Sequence, residues 1–231
     1  MIFARRAVAA LVLVVATVLA SAPALAGDSD TPLGRVTEAS QVLQQMMQAP
    51  DNAMPRNMLR NAYAIAILPN VIKAGLVVAA RRGHGVIAIK KDGVWSNPAF
   101  ITVTGGSIGL QAGVSSTDVL LIFRSQRGVD SIIYGKFTLG TDLSVAAGPV
   151  GRSAQASTDA QLHAEIYAYS RSRGLFAGLS FQGAVLRMDD AANAAIYGTG
   201  VTPKRIFAGD VGPVPAAVVT FRDALEEYTA Q

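Results

Sequence analysis

Basic side chains crowd one stretch of the chain where an anion could be held. No acidic residue lies between the members of this group, which are Lys73, Arg81, Arg82, His84, Lys90 and Lys91. Near anionic lipid each basic group contributes about 1 kcal/mol, so a cluster of this size can hold a protein at a membrane. We predict that this cluster binds anionic lipid head groups, joined by Arg124 and Arg127 at another predicted strand end. The alternative is a solvated rim that protects the edges of a sheet.

A second anion site is predicted in the turn 148–153, Gly-Pro-Val-Gly-Arg-Ser. Successive N–H groups of a glycine-rich turn can point at an anion, and the guanidinium of Arg152 can hold a phosphate through two hydrogen bonds. A tight buried turn in which Arg152 pairs with a carboxylate explains the same residues equally well. The sequence leaves both interpretations open.

Two glycine motifs resemble catalytic or nucleotide-binding signatures. Residues 105–109 match the G-x-S-x-G nucleophile elbow, which would make Ser107 a hydrolase nucleophile with His163 as base. An elbow needs a strand before the serine and a helix after it, and the residues after Ser107 are poor helix formers. Residues 83–88 match a relaxed dinucleotide fingerprint, but Val86 to Ile89 favour a strand where that motif needs a helix. We therefore predict a glycine-marked turn or bulge at 105–109, a hairpin turn at 83–88, and no enzyme.

Metal and disulfide chemistry find little support in the composition. The chain has no cysteine and two histidines, His84 and His163. Without thiolates a structural zinc site is not expected, and neither is a disulfide. We expect no metal and no cofactor.

The N-terminus has the pattern of a secretory signal peptide. Arg5 and Arg6 precede an uncharged apolar run, and Ala24-Leu25-Ala26 suits cleavage before Gly27. We expect residues 1–26 to be removed, and the protein to be exported to the periplasm, the outer membrane or the medium. Loss of the two arginines lowers the net charge from +4 to +2. Anion binding must then depend on a local patch, and nucleic acid is not an expected partner.

Hydrophobic periodicity places these residues in an α+β domain. After a flexible leader, 27–33, a single domain is expected over 34–231. Amphipathic helices are predicted at 34–49 and 215–228, with shorter helices at 55–62, 128–136 and 190–197. The glycine-rich middle predicts a mostly antiparallel sheet, open or closed into a barrel. Its predicted strands are 63–68, 74–80, 86–89, 100–104, 107–114, 119–123, 163–171 and 175–186. In this scheme residues 81–85 form a hairpin turn that carries Arg81, Arg82 and His84.

Several sequence blocks together resemble the SYLF, or Ysc84-like, family. They span roughly 34–228 in family order: 66–69 with 73–75, 93–98, 105–113, 117–119, 135–140, 144–152, 167–170 and 174–178. The resemblance implies binding of lipids, in particular phosphoinositides, and in some members binding of actin. A signal peptide would separate this chain from cytosolic phosphoinositides and actin, so actin is an unexpected partner.

Three functions follow as hypotheses. The first is a peripheral protein of the bacterial cell envelope that recognises anionic phospholipids through basic turns. The second is a periplasmic or outer-membrane structural or interaction protein without lipid specificity. The third is a serine hydrolase that uses Ser107.

Overall fold

The computed structural model describes residues 31–49, 54–75, 78–108, 113–150, 164–172, 175–176 and 183–230. Within these ranges helices pack on both faces of one sheet, which confirms the α+β class and the mostly antiparallel sheet. The predicted signal peptide and the predicted anion ligand Arg152 lie outside the described residues.

The N-terminal helix forms as its sequence predicts. Helix α1 spans Pro32–Met47, and the Thr31 side chain caps it by accepting a hydrogen bond from the Gly34 N–H at 3.0 Å. It begins two residues before the predicted boundary because proline is favoured in the first helical turn. Its buried residues, at spacings of three and four, are Val36, Ala39, Val42, Leu43 and Met46. A short helix, α2, follows at Arg56–Arg60.

Ten strands of the described ranges form one strongly curled sheet, a half-barrel. The strands are β1 Ala64–Gly75, β2 Val78–Lys91, β3 Val94–Trp95, β4 Ala99–Ile108, β5 Gly113–Phe123, β6 Lys136–Thr138, β7 Val145–Ala147, β8 Ile166–Ser172, β9 Leu175–Phe176 and β10 Val185–Met188. Their order is β6-β10-β4-β2-β1-β5-β8-β7, with β3 paired to β2 and β9 to β8. The β7–β8 pair is parallel, and the other recorded pairs are antiparallel. The short strands β6 and β7 have too few residues to show a period in the sequence.

The sequence predicts a strand that ends at Leu68, before Pro69-Asn70. In the structure, β1 instead continues to Gly75. A bulge between Leu68 and Val71 shifts its register against β5, and Asn70 adopts a φ of 49°. The Asn70 N–H donates to the Asp118 carboxylate at 3.0 Å. The bulge thus accommodates a proline, which cannot donate to the ladder, inside a long strand.

The predicted hairpin turn at residues 81–85 is also wrong. These residues lie inside β2, which runs unbroken for 14 residues. Gly83 and Gly85 are required by close packing, because a Cβ on Gly85 would lie 2.1 Å from the Ile67 carbonyl oxygen. Glycine here lets the bulged strand β1 come near, a role that local sequence patterns do not distinguish from a turn.

Four more helices complete the described fold. They are α3 Gln126–Ile133, α4 Asp190–Tyr197, α5 Pro203–Ala208 and α6 Ala216–Thr229. The sequence predicts α3, α4 and α6 within a few residues and misses α5. Buried side chains of α1, α2, α4 and α6 fill one core on the first face of the sheet, and those of α3 and α5 fill a second core on the other face.

The remaining predicted strands differ at their ends. Ser107 lies within β4, and β5 starts at Gly113, so the single predicted strand 107–114 is wrong. Strand β8 starts at Ile166 instead of 163. The predicted strand 175–186 contains β9 and the start of β10, and residues 177–182 lie outside the described ranges.

Candidate functional site

Two cations face each other across the far ends of β1 and β2. Lys73 is in register with Arg81, and the residues next in that row are Ser115 on β5 and Gly105 on β4. Like charges directly opposite each other are unfavourable in a strand pair. Burial lowers the pKa of Arg81, because desolvation disfavours its charged form. The register thus brings two cationic side chains together on one face of the strand ends.

The opposite face of the same strand ends is exposed and apolar. Ile72 is 51% exposed and Val114 on the neighbouring strand is 77% exposed. Ala74 and Ala80, in register with each other, are exposed beside them. Arg82 shares this face, because it is in register with Ile72, and its side chain is exposed. We call Ile72, Lys73, Arg81, Arg82 and Val114 the strand tip.

His84 lies behind the strand tip and is engaged with a helix. Its Nδ1 is 3.6 Å from Asp189 Oδ2, to which the Arg35 guanidinium donates at 2.9 Å. Asp189 also caps α4 by accepting from the Ala192 N–H at 3.1 Å. Burial lowers the pKa of His84, and the nearby positive charge of Arg35 lowers it further. The contact joins α1, α4 and β2, so this side chain has a structural role whether or not it meets a ligand.

Lys90 and Lys91 lie at the other end of β2, far from the strand tip. Lys90 is nine positions along the strand from Arg81, which is about 30 Å at roughly 3.3 Å per residue. Lys91 is in register with Val94, which is 64% exposed, across a tight turn in which Asp92 and Gly93 both have positive φ, 52° and 85°. Both residue types favour this turn geometry. The predicted single cluster is therefore two.

Two arginines that the sequence prediction omitted join Lys90 and Lys91. Arg56 and Arg60 lie on α2, and the Arg60 carbonyl accepts a hydrogen bond from Lys90 Nζ at 3.4 Å. Lys90 also lies over the Trp95 ring at 5.7 Å, and Arg56 over the Tyr228 ring at 6.0 Å. Arg56 and Arg60 are four residues apart on one helix, which places both on the same face. This spacing is the sequence signal by which they could have been found. We call Arg56, Arg60, Lys90, Lys91 and Val94 the base patch.

The remaining predicted cations lie near the base patch but are differently engaged. Arg124 follows β5, and its backbone N–H donates to the Glu165 carbonyl at 3.0 Å. Arg127 on α3 forms an exposed ion pair with the Glu165 carboxylate at 3.8 Å. Exposed pairs of this kind contribute little to stability. The partner nevertheless offsets the charge that Arg127 could offer to a lipid.

Ser107 does not occupy a nucleophile elbow. It lies in register with Ala79 inside β4. Strand β4 continues past Ser107 to Ile108, where an elbow requires a helix to begin. The dinucleotide motif fails in the same way, since β2 continues through it.

The described ranges contain no group of three or more histidine, cysteine, aspartate or glutamate side chains that could hold a metal ion. None of the described helices is long and apolar enough to cross a membrane. Two shallow grooves follow α1. The one against α6 is lined by Thr37, Ser40, Gln41, Gln44, Ala217, Thr220, Ala224, Glu227 and Tyr228.

Comparison with known families supplies an independent result. The family model described as "Ysc84: Las17-binding protein actin regulator" matches residues 104–228. The matched segment runs from the end of β4 to α6, so the β1 and β2 residues of the strand tip precede it.

Three relatives extend the match. "LAS seventeen-binding protein 3" of Saccharomyces cerevisiae is 38% identical over 198 residues, covering 84% of this chain and 43% of that protein. "Protein YSC84" of the same yeast is 41% identical over 171 residues, covering 72% and 36%. "SH3 domain-containing YSC84-like protein 1" of Homo sapiens is 35% identical over 182 residues, covering 78% and 53%.

The chain spans about half the length, or less, of each of these relatives. The family model covers more than half of the chain, and the relatives share 35 to 41% identity with it. The glycine-rich blocks, the curled antiparallel sheet and these matches agree, and the chain belongs to the Ysc84-like, or SYLF, family.

Proposed function

We propose that this chain is a peripheral lipid-binding protein that recognises anionic head groups through the strand tip. The observation that carries the proposal is the opposed pair of Lys73 and Arg81, with exposed Ile72 and Val114 on the other face of the same strand ends. Cations at head-group level beside apolar side chains that enter the acyl boundary are the usual composition of an interfacial membrane contact.

The expected affinity is modest. Lys73, Arg81 and Arg82 contribute about 3 kcal/mol at about 1 kcal/mol each. Burying the exposed parts of Ile72 and Val114 adds about 2 kcal/mol. A total of about 5 kcal/mol corresponds to a dissociation constant of a few tenths of a millimolar in accessible lipid. Binding of the protein to anionic lipid should therefore be reversible and sensitive to salt.

Vesicle sedimentation tests the proposal. Purified protein is mixed with phosphatidylcholine vesicles that contain increasing phosphatidylglycerol, at low and high salt. Binding should rise with anionic content and fall with salt. In a chain whose base patch is neutralised by Lys90→Gln with Lys91→Gln, the double change Arg81→Glu with Arg82→Glu should weaken binding by more than about 30-fold, because it removes two attractions and adds two repulsions.

A charge-matched variant is the control. Lys204→Glu with Arg205→Glu makes the same change in net charge on the exposed surface of α5. Binding by this variant should stay close to that of the parent. Equal loss in both variants would show that net charge alone acts and would remove the assignment to the strand tip. Absence of binding at every lipid composition would end the lipid proposal.

Export to a bacterial cell envelope is part of the same proposal. It is supported by Arg5-Arg6, the apolar run and the Ala24-Leu25-Ala26 triplet. N-terminal sequencing of protein recovered from the envelope fraction should begin at Gly27. Recovery from the cytosol with Met1 intact would contradict export.

A protein-binding function is the second candidate. It is favoured by the family description, which names Las17 binding and actin regulation, by the name of the yeast relative "LAS seventeen-binding protein 3", and by the groove between α1 and α6. Co-sedimentation with actin filaments, together with a failure to bind vesicles, would favour this candidate over the first.

A further inference from the structure

The base patch repeats the composition of the strand tip at the opposite end of the sheet. It combines four basic side chains with one strongly exposed apolar residue, Val94. Asp92 lies in the turn beside it, and the nearby Glu226 carboxylate is already engaged by the Trp95 N–H. The strand tip likewise combines cations with exposed Ile72 and Val114.

The two surfaces are electrostatically independent. About 30 Å of strand β2 separates Arg81 from Lys90, whereas charges are screened over about 8 Å at physiological ionic strength. One head group cannot reach both, and the occupancy of one surface should barely change the affinity of the other.

One flat membrane cannot contact both surfaces along β2. This strand lies inside the sheet between β1 and β4, and its middle residues, from Gly85 to Ala88, are buried. Helix α1 packs over one face of β1 and β2, and the second core covers the other face. The two surfaces are therefore exposed at opposite ends of the same strand.

We infer that one copy of this chain binds two anionic lipid surfaces at once, with the strand tip on one and the base patch on the other. The chain then acts as a short tether that holds two membranes a single domain apart. This inference rests on the proposed lipid binding and adds a second site and an activity, membrane bridging.

Clustering of phosphatidylserine vesicles, followed by turbidity and light scattering, tests the bridge. The parent protein should cluster vesicles, and clustering should decline at high protein-to-lipid ratio, when each chain finds only occupied surfaces. Two variants remove one surface each: Arg81→Gln with Arg82→Gln, and Lys90→Gln with Lys91→Gln. Each should still sediment with vesicles, with affinity lowered no more than about 30-fold, and should fail to cluster them at matched bound protein.

Three outcomes would overturn the bridge. The parent protein binds vesicles without clustering them, in which case the proposed function stands and only the bridge fails. The Lys90 and Lys91 variant clusters as well as the parent at equal binding, which would indicate mere charge neutralisation. A mixture of the two variants clusters, which would indicate that dimers join the membranes. Thermal unfolding followed by circular dichroism verifies that each variant is folded.

Discussion

Replacing Gly85 with alanine tests the unbroken course of β2, on which the position of the strand tip depends. A Cβ at this position would lie 2.1 Å from the Ile67 carbonyl oxygen and 2.8 Å from the Leu68 Cα. Both are backbone atoms, so relief requires the bulged strand β1 to move by about 1 Å. Overpacking in a close-packed core costs typically 1–3 kcal/mol and sometimes more, and this contact belongs at the upper end, about 3 kcal/mol.

The matched control is Gly106→Ala on strand β4. The nearest atom to a Cβ there is the Ala79 carbonyl oxygen at 3.9 Å, an ordinary contact. Loss of glycine's backbone entropy in a strand should make this variant neutral or more stable by about 0.5 kcal/mol. The two variants should therefore differ by about 3–3.5 kcal/mol in the free energy of unfolding, with Gly85→Ala the less stable.

Urea unfolding followed by tryptophan fluorescence measures the difference. The chain has one tryptophan, and Trp95 is 1% exposed, so its emission changes when the core opens. If Gly85→Ala is as stable as the parent, Gly85 does not lie beneath the bulge. Arg81 would then not be in register with Lys73, and the opposed pair of cations at the strand tip would not exist.

Three further predictions follow from contacts at the edges of the first core. Asp189→Ala should lower the free energy of unfolding by about 2–3 kcal/mol, since it removes the cap of α4 and the partner of Arg35, whereas Asp189→Asn keeps a cap and should cost less; equal costs would refute the cap. Because burial lowers the pKa of His84, the unfolded chain takes up a proton before the folded one does. Stability should therefore fall as pH drops below the ordinary value of 6.5, and His84→Gln should show a shallower fall; identical pH profiles would contradict this origin. Leu43→Ala should lower the free energy of unfolding in urea by about 3 kcal/mol, because the Leu43 side chain is fully buried on α1. Leu33→Ala should lower it by less than about 1 kcal/mol, because Leu33 is 39% exposed. Similar losses in the two variants would show that α1 does not pack on the sheet through the face that contains Leu43.

The structure rests on features that local patterns report unequally. The apolar spacing in α1 predicts its buried face correctly, because an isolated helix and a packed one share the same period. The Asp92-Gly93 turn is equally local, since both residues tolerate positive φ. Gly83 and Gly85 resemble the same kind of signal but serve a contact with β1, and no neighbour in the sequence indicates that contact.

What the sequence determines by itself is the family, the α+β class and the presence of cations without intervening acids over residues 73–91. Only the tertiary structure decides how those cations are grouped. A proline usually interrupts a strand, because it has no N–H to donate to the ladder. In β1 a bulge carries the strand past Pro69, and Asp118 on the neighbouring strand accepts the hydrogen bond from the Asn70 N–H. With β1 and β2 extended, the cations separate to opposite ends of the sheet, Arg56 and Arg60 join one group, and exposed Ile72 and Val114 join the other. Pairing between strands that lie far apart in the chain sets these positions, and spacing along one strand cannot encode them.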